Sequence, residues 1–257
     1  MHYSNLNNTH KGKNMKDNLQ DLIEHTYSLG NIELIKISGS DTETQISAVS
    51  EDKSVIVNGK FNSPSADFIG TFGMPNLGKL KTILGFDDYD EQSVINVTRQ
   101  TKDGEDVPTA IHFETKTKDF VNDYRLMAKA IIEEKVKSPT FKGATWNISF
   151  EPTVLGILRL KKQHQANSEE TTFATKTENG DLRIYFGDPS THSGNFVFYS
   201  GVTGSLARSF MWPVKVFLAI MDLSGDKTVR ISDQGVAEIT VDSGVATYQY
   251  LLPAQVK

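Results

Sequence analysis

Short alternating apolar runs, each closed by Gly, Pro, Asn or Asp, dominate this chain and leave room for few helices. The sharpest case is Thr172–Thr177 and Leu182–Phe186 around Asn179-Gly180, a dipeptide that supplies the two left-handed residues of a tight hairpin. Asp103-Gly104 does the same between Val94–Thr98 and Ala110–Glu114. Strands that run hairpin to hairpin pair antiparallel, and sparse short helices then lie on one face of the sheets. The remaining strand runs are Ile32–Ile37, Gln45–Val49, Ser54–Phe61, Ala66–Phe72, Phe120–Met127, Trp146–Phe150, Asn195–Tyr199, Pro213–Met221, Val229–Ser232, Ala237–Val241 and Ala246–Leu252.

Four segments change period. Leu19, Leu22, Ile23 and Tyr27 share one helical face over residues 16–29, and Gly30 stops that helix. Leu77, Leu80, Ile83 and Leu84 do the same over 77–84, ended by Gly85. Pro152–Ala166 reads as a third helix, with Val154, Leu155 and Leu158 at helical spacing, and Ser205–Met211 as a short fourth. The order helix, three strands, short helix, three or four strands therefore occurs twice. The reading is a flexible leader at 1–14, a first domain at 15–127, a connector at 128–143 and a second domain at 144–257. Each half is large enough to bury its own core.

The search for chemistry excludes more than it finds. The chain has no cysteine, which removes disulfides, thiolate metal sites and thiol nucleophiles. It carries no phosphate loop, no complete dinucleotide fingerprint and no nucleophile elbow. Its six histidines never pair at i, i+3 or i+4, so no metal site is expected. Asp87–Glu91 reads as a solvated acidic loop. The expectation is a protein that is not an enzyme and needs no cofactor. With no apolar stretch near 20 residues and no export signal, it is expected to be soluble and cytoplasmic, with no membrane partner.

Charge placement is more informative. A net charge of −5 rules out gripping nucleic acid over the whole surface. Yet the four helical segments sum to +3 and the rest of the chain to −8. If the helices share one surface, that surface attracts a phosphate backbone without reading bases.

The order of elements resembles the DNA sliding clamps, the processivity factors of replicative DNA polymerases. Three stretches carry the likeness: Leu19–His25 leading from a helix into a strand, Ala66–Phe72 followed by Leu77–Leu84, and the closing run from Val214 through Tyr248-Gln249-Tyr250-Leu251-Leu252-Pro253-Ala254. The likeness covers about residues 15–254, and its plan of two domains and a connector is most similar to the trimeric clamps of T-even-type bacteriophages. It implies an α+β two-domain clamp fold, antiparallel sheets with two short helices per domain on one face, assembling into a homotrimeric ring around double-stranded DNA. It also implies partnership with a DNA polymerase and an ATP-dependent clamp loader. By the same resemblance Lys16, Lys79, Lys81, Arg159, Lys161, Lys162 and Arg208 face the DNA. Leu126, Met127, Tyr250, Leu252 and Pro253 form a pocket for a partner peptide. The competing expectation is a β-rich viral or phage structural protein that does not depend on DNA topology.

Overall fold

The computed structural model describes residues 15–102, 104–137 and 143–255. The first half runs α1 (Met15–His25), β1 (Leu34–Gly39), β2 (Thr44–Val49), β3 (Ile56–Phe61), β4 (Gly70–Pro75), α2 (Leu77–Leu84), β5 (Val94–Lys102), β6 (Glu105–Glu114) and β7 (Val121–Arg125). A connecting helix, α3 (Lys129–Lys135), follows. The second half runs β8 (Ile148–Phe150), α4 (Val154–Ala166), β9 (Thr172–Glu178), β10 (Asp181–Gly187), β11 (Ser193–Tyr199), β12 (Phe210–Pro213), α5 (Val214–Met221), β13 (Asp226–Ser232), β14 (Val236–Asp242) and β15 (Ala246–Pro253).

Every strand pairing is antiparallel, and the sheet orders expose a repeat. The first half builds β4-β1-β2-β3 and the second half builds β12-β9-β10-β11. The later strands form β5-β6-β7 and, in the second half, β8-β13-β14-β15. The halves join where β15 pairs with β3, from Ala246↔Phe61 to Leu251↔Ile56, which makes one continuous eight-stranded sheet.

The helices form one layer against these sheets. α1 packs on α2, α4 packs on α5, and the short 3-10 turn Tyr27–Leu29 bridges to α5. Leu19 and Leu22 of α1, Leu77 and Leu80 of α2 and Leu160 of α4 are fully buried, each worth about 1.5–3 kcal/mol against exposure. α1 is tied to the second half by polar contacts as well. The Tyr248 hydroxyl donates to Asp21 Oδ2 at 2.7 Å, the Tyr250 hydroxyl to the His25 carbonyl at 2.8 Å, and the Ser224 hydroxyl to Glu24 Oε1 at 2.6 Å. No helix among the described residues is long and apolar enough to cross a membrane.

Several elements differ from the sequence reading. Ser205–Met211 is not a helix: residues 201–209 are loop, and β12 starts at Phe210. The fourth helix is Val214–Met221, which the apolar run made look like a strand. Seven of its eight residues are apolar, so little polar contrast marks its period, and a short apolar run fits helix or strand equally well. Ala66–Phe72 splits into a 3-10 turn at Ala66–Phe68 and a strand from Gly70. The first helix ends at His25 rather than 29. The connector is helical over Lys129–Lys135 because Ile132 is buried against Gly73 of β4, where even a Cβ would lie 2.7 Å from the Ile132 Cδ1. The leader 1–14 and residue 103 of the first hairpin lie outside the described residues. Asn179 and Gly180 are both left-handed, at φ +52° and +83°, as the hairpin requires.

Candidate nucleic-acid interface and partner groove

The outward faces of the four packed helices differ in charge. α2 exposes Lys79 and Lys81. α4 starts at Thr153, whose hydroxyl accepts the Gly156 N–H at 3.0 Å, a cap that satisfies one orphan donor of the first turn. Along α4, Arg159 and Lys162 are exposed, and Lys161 is paired with Asp222 at the end of α5. α5 exposes Lys215, a residue the sequence reading missed by treating this segment as a strand. One signal was available: Val214, Phe217 and Met221 stand at helical spacing with Lys215 off that face.

α1 is the exception. Its exposed positions are Asp17, Gln20 and Glu24. Lys16 is half-buried and donates to the Tyr89 carbonyl, so the one cation of this helix is drawn toward the 86–90 loop. Arg208 is not on the helical layer. It sits in the loop before β12, with its guanidinium 5.0 Å from the centre of the Phe210 ring. Together the four packed helices hold seven basic residues against three acidic ones, a concentration of positive charge on an acidic chain. The first two turns of α4 also expose Val154, Leu155 and Leu158.

The five residues read as a partner pocket do not come together. Tyr250 and Leu252 are fully buried, because β15 alternates and both point into the core. Leu126 and Met127 lie at the β4 margin of the eight-stranded sheet, where Met127 and Gly73 exchange backbone hydrogen bonds at 2.8 and 2.9 Å and cover the edge of β4. β4 and β15 are four strands apart, about 19 Å. Pro253 does line a cavity, of about 300 Å³, together with Leu251 on the same face of β15, Ile56, Val236 and Ala144 where the chain enters the second half. Of the three β15 residues in the sequence reading, Tyr250 and Leu252 face the core and Pro253 lines this cavity. Beside this cavity, Glu238 pairs across from Leu251; it is buried and accepts from Arg230 and Gln249. A second cavity, of about 440 Å³, lies between Glu134–Lys137 of the connector and Leu34, Val49 and Lys53.

No protein-family model matches the sequence, and no curated protein matches it. Solved structures do. A structure of A. fulgidus PCNA with the C-terminal region of FEN-1 bound superposes with a TM-score of 0.64 at 12% identity, over 94% of this chain and 96% of that one. The crystal structure of PCNA from Thermococcus kodakaraensis gives 0.62 at 11% identity, over 94% and 98%. The chain has the sliding-clamp fold. Identities this low carry the architecture and not the side chains, so the roles of individual residues rest on the geometry above. Within this fold, two packed helices form one layer of each half, α1 with α2 and α4 with α5, and the sheets form the other.

Proposed function

We propose that this protein is a DNA sliding clamp: three copies close head to tail into a ring that encircles duplex DNA and tethers the replicative polymerase. One observation carries the reading. The junction within the chain pairs β3 with β15. In the internal repeat, β11 stands where β3 stands and β7 where β15 stands, and among the described residues both have one open edge. Pairing β7 of one copy with β11 of the next repeats the internal junction and leaves neither edge exposed. Head-to-tail contacts of this kind close into a ring when the rotation allows it. The apolar residues exposed near these edges, Leu155 on the helix over β11 and Val121 on β7, support the same contact.

The charge pattern supports DNA in the hole. Lys79, Lys81, Arg159, Lys162 and Lys215 offer phosphate contacts that carry no sequence information, so the duplex is held without being read. The acidic body outside the helices repels it. The function is topological and not catalytic: a tethered polymerase that lets go rebinds at high effective concentration. Opening the ring falls to a separate ATP-driven loader. The cavity at Pro253 and Leu251 is the docking groove for an apolar side chain of the partner's peptide.

The test is topological. Rings closed by a chemical cross-linker on a nicked plasmid should stay on the circle through a 1 M salt wash and leave when one restriction cut linearises it. Release by salt alone, or retention after the cut, refutes encirclement.

A further inference from the structure

The cavity at Pro253 has a larger neighbour. Gln234 and Gly235 line it and also line a second cavity of about 700 Å³. The floor of this larger cavity is one cross-strand row, Met211, Ala174 and Tyr185, from β12, β9 and β10. Phe173 packs edge-on against Phe217 of α5, so by alternation its neighbour Ala174 points to the face away from the helices. The chain's own tail forms the shared wall. After Pro253, Ala254 N–H donates to the Gly235 carbonyl and Gln255 N–H to the Met211 carbonyl, both at 2.8 Å. The tail thus leaves the eight-stranded sheet and runs along β12, bordering the small cavity at Pro253 and the large one at Ala254 and Gln255.

The rim of the large cavity is charged. Glu170 and Asp188 line it, and the third charged group, Arg208, is stacked on Phe210. Carboxylates outnumber cations around an otherwise mixed apolar floor, which favours an apolar side chain flanked by a basic one. The Tyr185 hydroxyl is already committed to Glu178 Oε2 at 2.6 Å, so the floor offers contact area more than hydrogen bonds.

We propose that the two cavities form one bipartite groove for an extended partner peptide. Its anchor fills the small cavity. Its flank crosses the Gln234-Gly235 ridge, lays a second apolar side chain on Met211, Ala174 and Tyr185, and brings a Lys or Arg toward Glu170. The proposal rests on the reading of the small cavity as the partner groove and extends it. Joining two modest sites in one peptide makes the second contact intramolecular. Partners that fill both cavities therefore displace partners that fill only the first, which ranks competitors for the identical grooves of one ring.

The experiment uses the full-length protein and a phage-displayed library of random 20-residue peptides. The tightest selected peptide is synthesised whole and as its anchor half, and affinities are read by fluorescence anisotropy. Ala144→Trp fills the small cavity from a loop, Ala174→Phe fills the large one from a strand that accepts aromatic residues, and Glu170→Lys reverses the rim. Expected results are a loss of at least about tenfold for the whole peptide on Ala144→Trp and again on Ala174→Phe. The anchor half should lose binding only on Ala144→Trp, and Glu170→Lys should weaken the whole peptide severalfold. If Ala174→Phe and Glu170→Lys leave the whole peptide unchanged while Ala144→Trp abolishes binding, the bipartite groove is refuted and the partner groove stands. If Ala144→Trp changes nothing, the partner groove itself falls.

Discussion

A head-to-tail ring makes a prediction that a symmetric dimer or an open aggregate does not. Each copy contributes two different surfaces, the β11 side and the β7 side. Leu155 belongs to the first: α4 packs over β11, and at 100° per residue Leu155 lies about 120° around the helix from Lys161, which faces α5. Val121 belongs to the second. Leu155 is 57% exposed and Val121 46%. Complete burial of such side chains is worth about 1.5–3 kcal/mol, so the contact still has about 1 kcal/mol to gain from each. Aspartate at either position forfeits that gain and adds the cost of desolvating a carboxylate in the contact, for a total of about 3 kcal/mol, or more than about 100-fold in affinity. Leu155 lies in the first turn of α4, where a carboxylate complements the helix dipole, so Leu155→Asp leaves the subunit folded. In a light-scattering dilution series the unsubstituted protein should approach three times 28.5 kDa, and each variant alone should be monomeric at concentrations where it does. An equal mixture should form dimers and stop there, since only one intact pair of surfaces exists between the two variants. A trimer from either variant alone, or a mixture that stays monomeric, refutes the assignment of these two surfaces.

Three further outcomes follow from particular residues. Lys215→Gln should lower the salt dependence of DNA binding, by about 0.9 in log–log slope for each phosphate no longer neutralised, while Arg208→Gln, off the helical layer, should leave it unchanged; equal effects would show the basic surface is misplaced. Burial, and then the charge of Asp21, holds the Tyr248 hydroxyl well above the ordinary tyrosine range, and burial does the same for Tyr250. The folded state therefore keeps protons that the unfolded chain releases above about pH 10, so stability is intact below that pH and falls as pH rises beyond it. Tyr248→Phe should cost about 1–3 kcal/mol at neutral pH by stripping a donor from buried Asp21 and should flatten the alkaline loss, both measurable by urea unfolding. Gly156→Ala sets two effects against each other: helix propensity gains up to about 1 kcal/mol, but the new Cβ would lie 2.5 Å from the backbone carbonyl oxygen of Phe198, an overlap costing about 1–3 kcal/mol. The overlap should win, and a rise in melting temperature would mean that α4 stands further from β11 than described.

Much of this architecture was legible in the order of residues alone. The Asn179-Gly180 hairpin, the second helix over 77–84 and the helix read over Pro152–Ala166 each follow from local chemistry: left-handed turn residues in the first, apolar residues at helical spacing in the other two. These signals sit within a few residues of one another, so their order along the chain, and hence the repeat, is a property of the sequence. What the sequence left open depends on partners far along the chain. Seven of the eight residues of Val214–Met221 are apolar, so its period carried little contrast, and its packing beneath β12 and beside α4 decides that it is a helix. That one assignment decided whether Arg208 or Lys215 joins the basic layer. Likewise, β15 was recognisable as a strand, but which of Tyr250, Leu251, Leu252 and Pro253 faces outward depends on its register against β3 and β14, and a shift of one residue exchanges every side chain between faces. The same pairing joins the halves into one sheet, and among the described residues β7 and β11 each keep one open edge. Local sequence determined the pieces; long-range pairing of backbone hydrogen bonds, which no short stretch encodes, decided which faces and edges this protein presents.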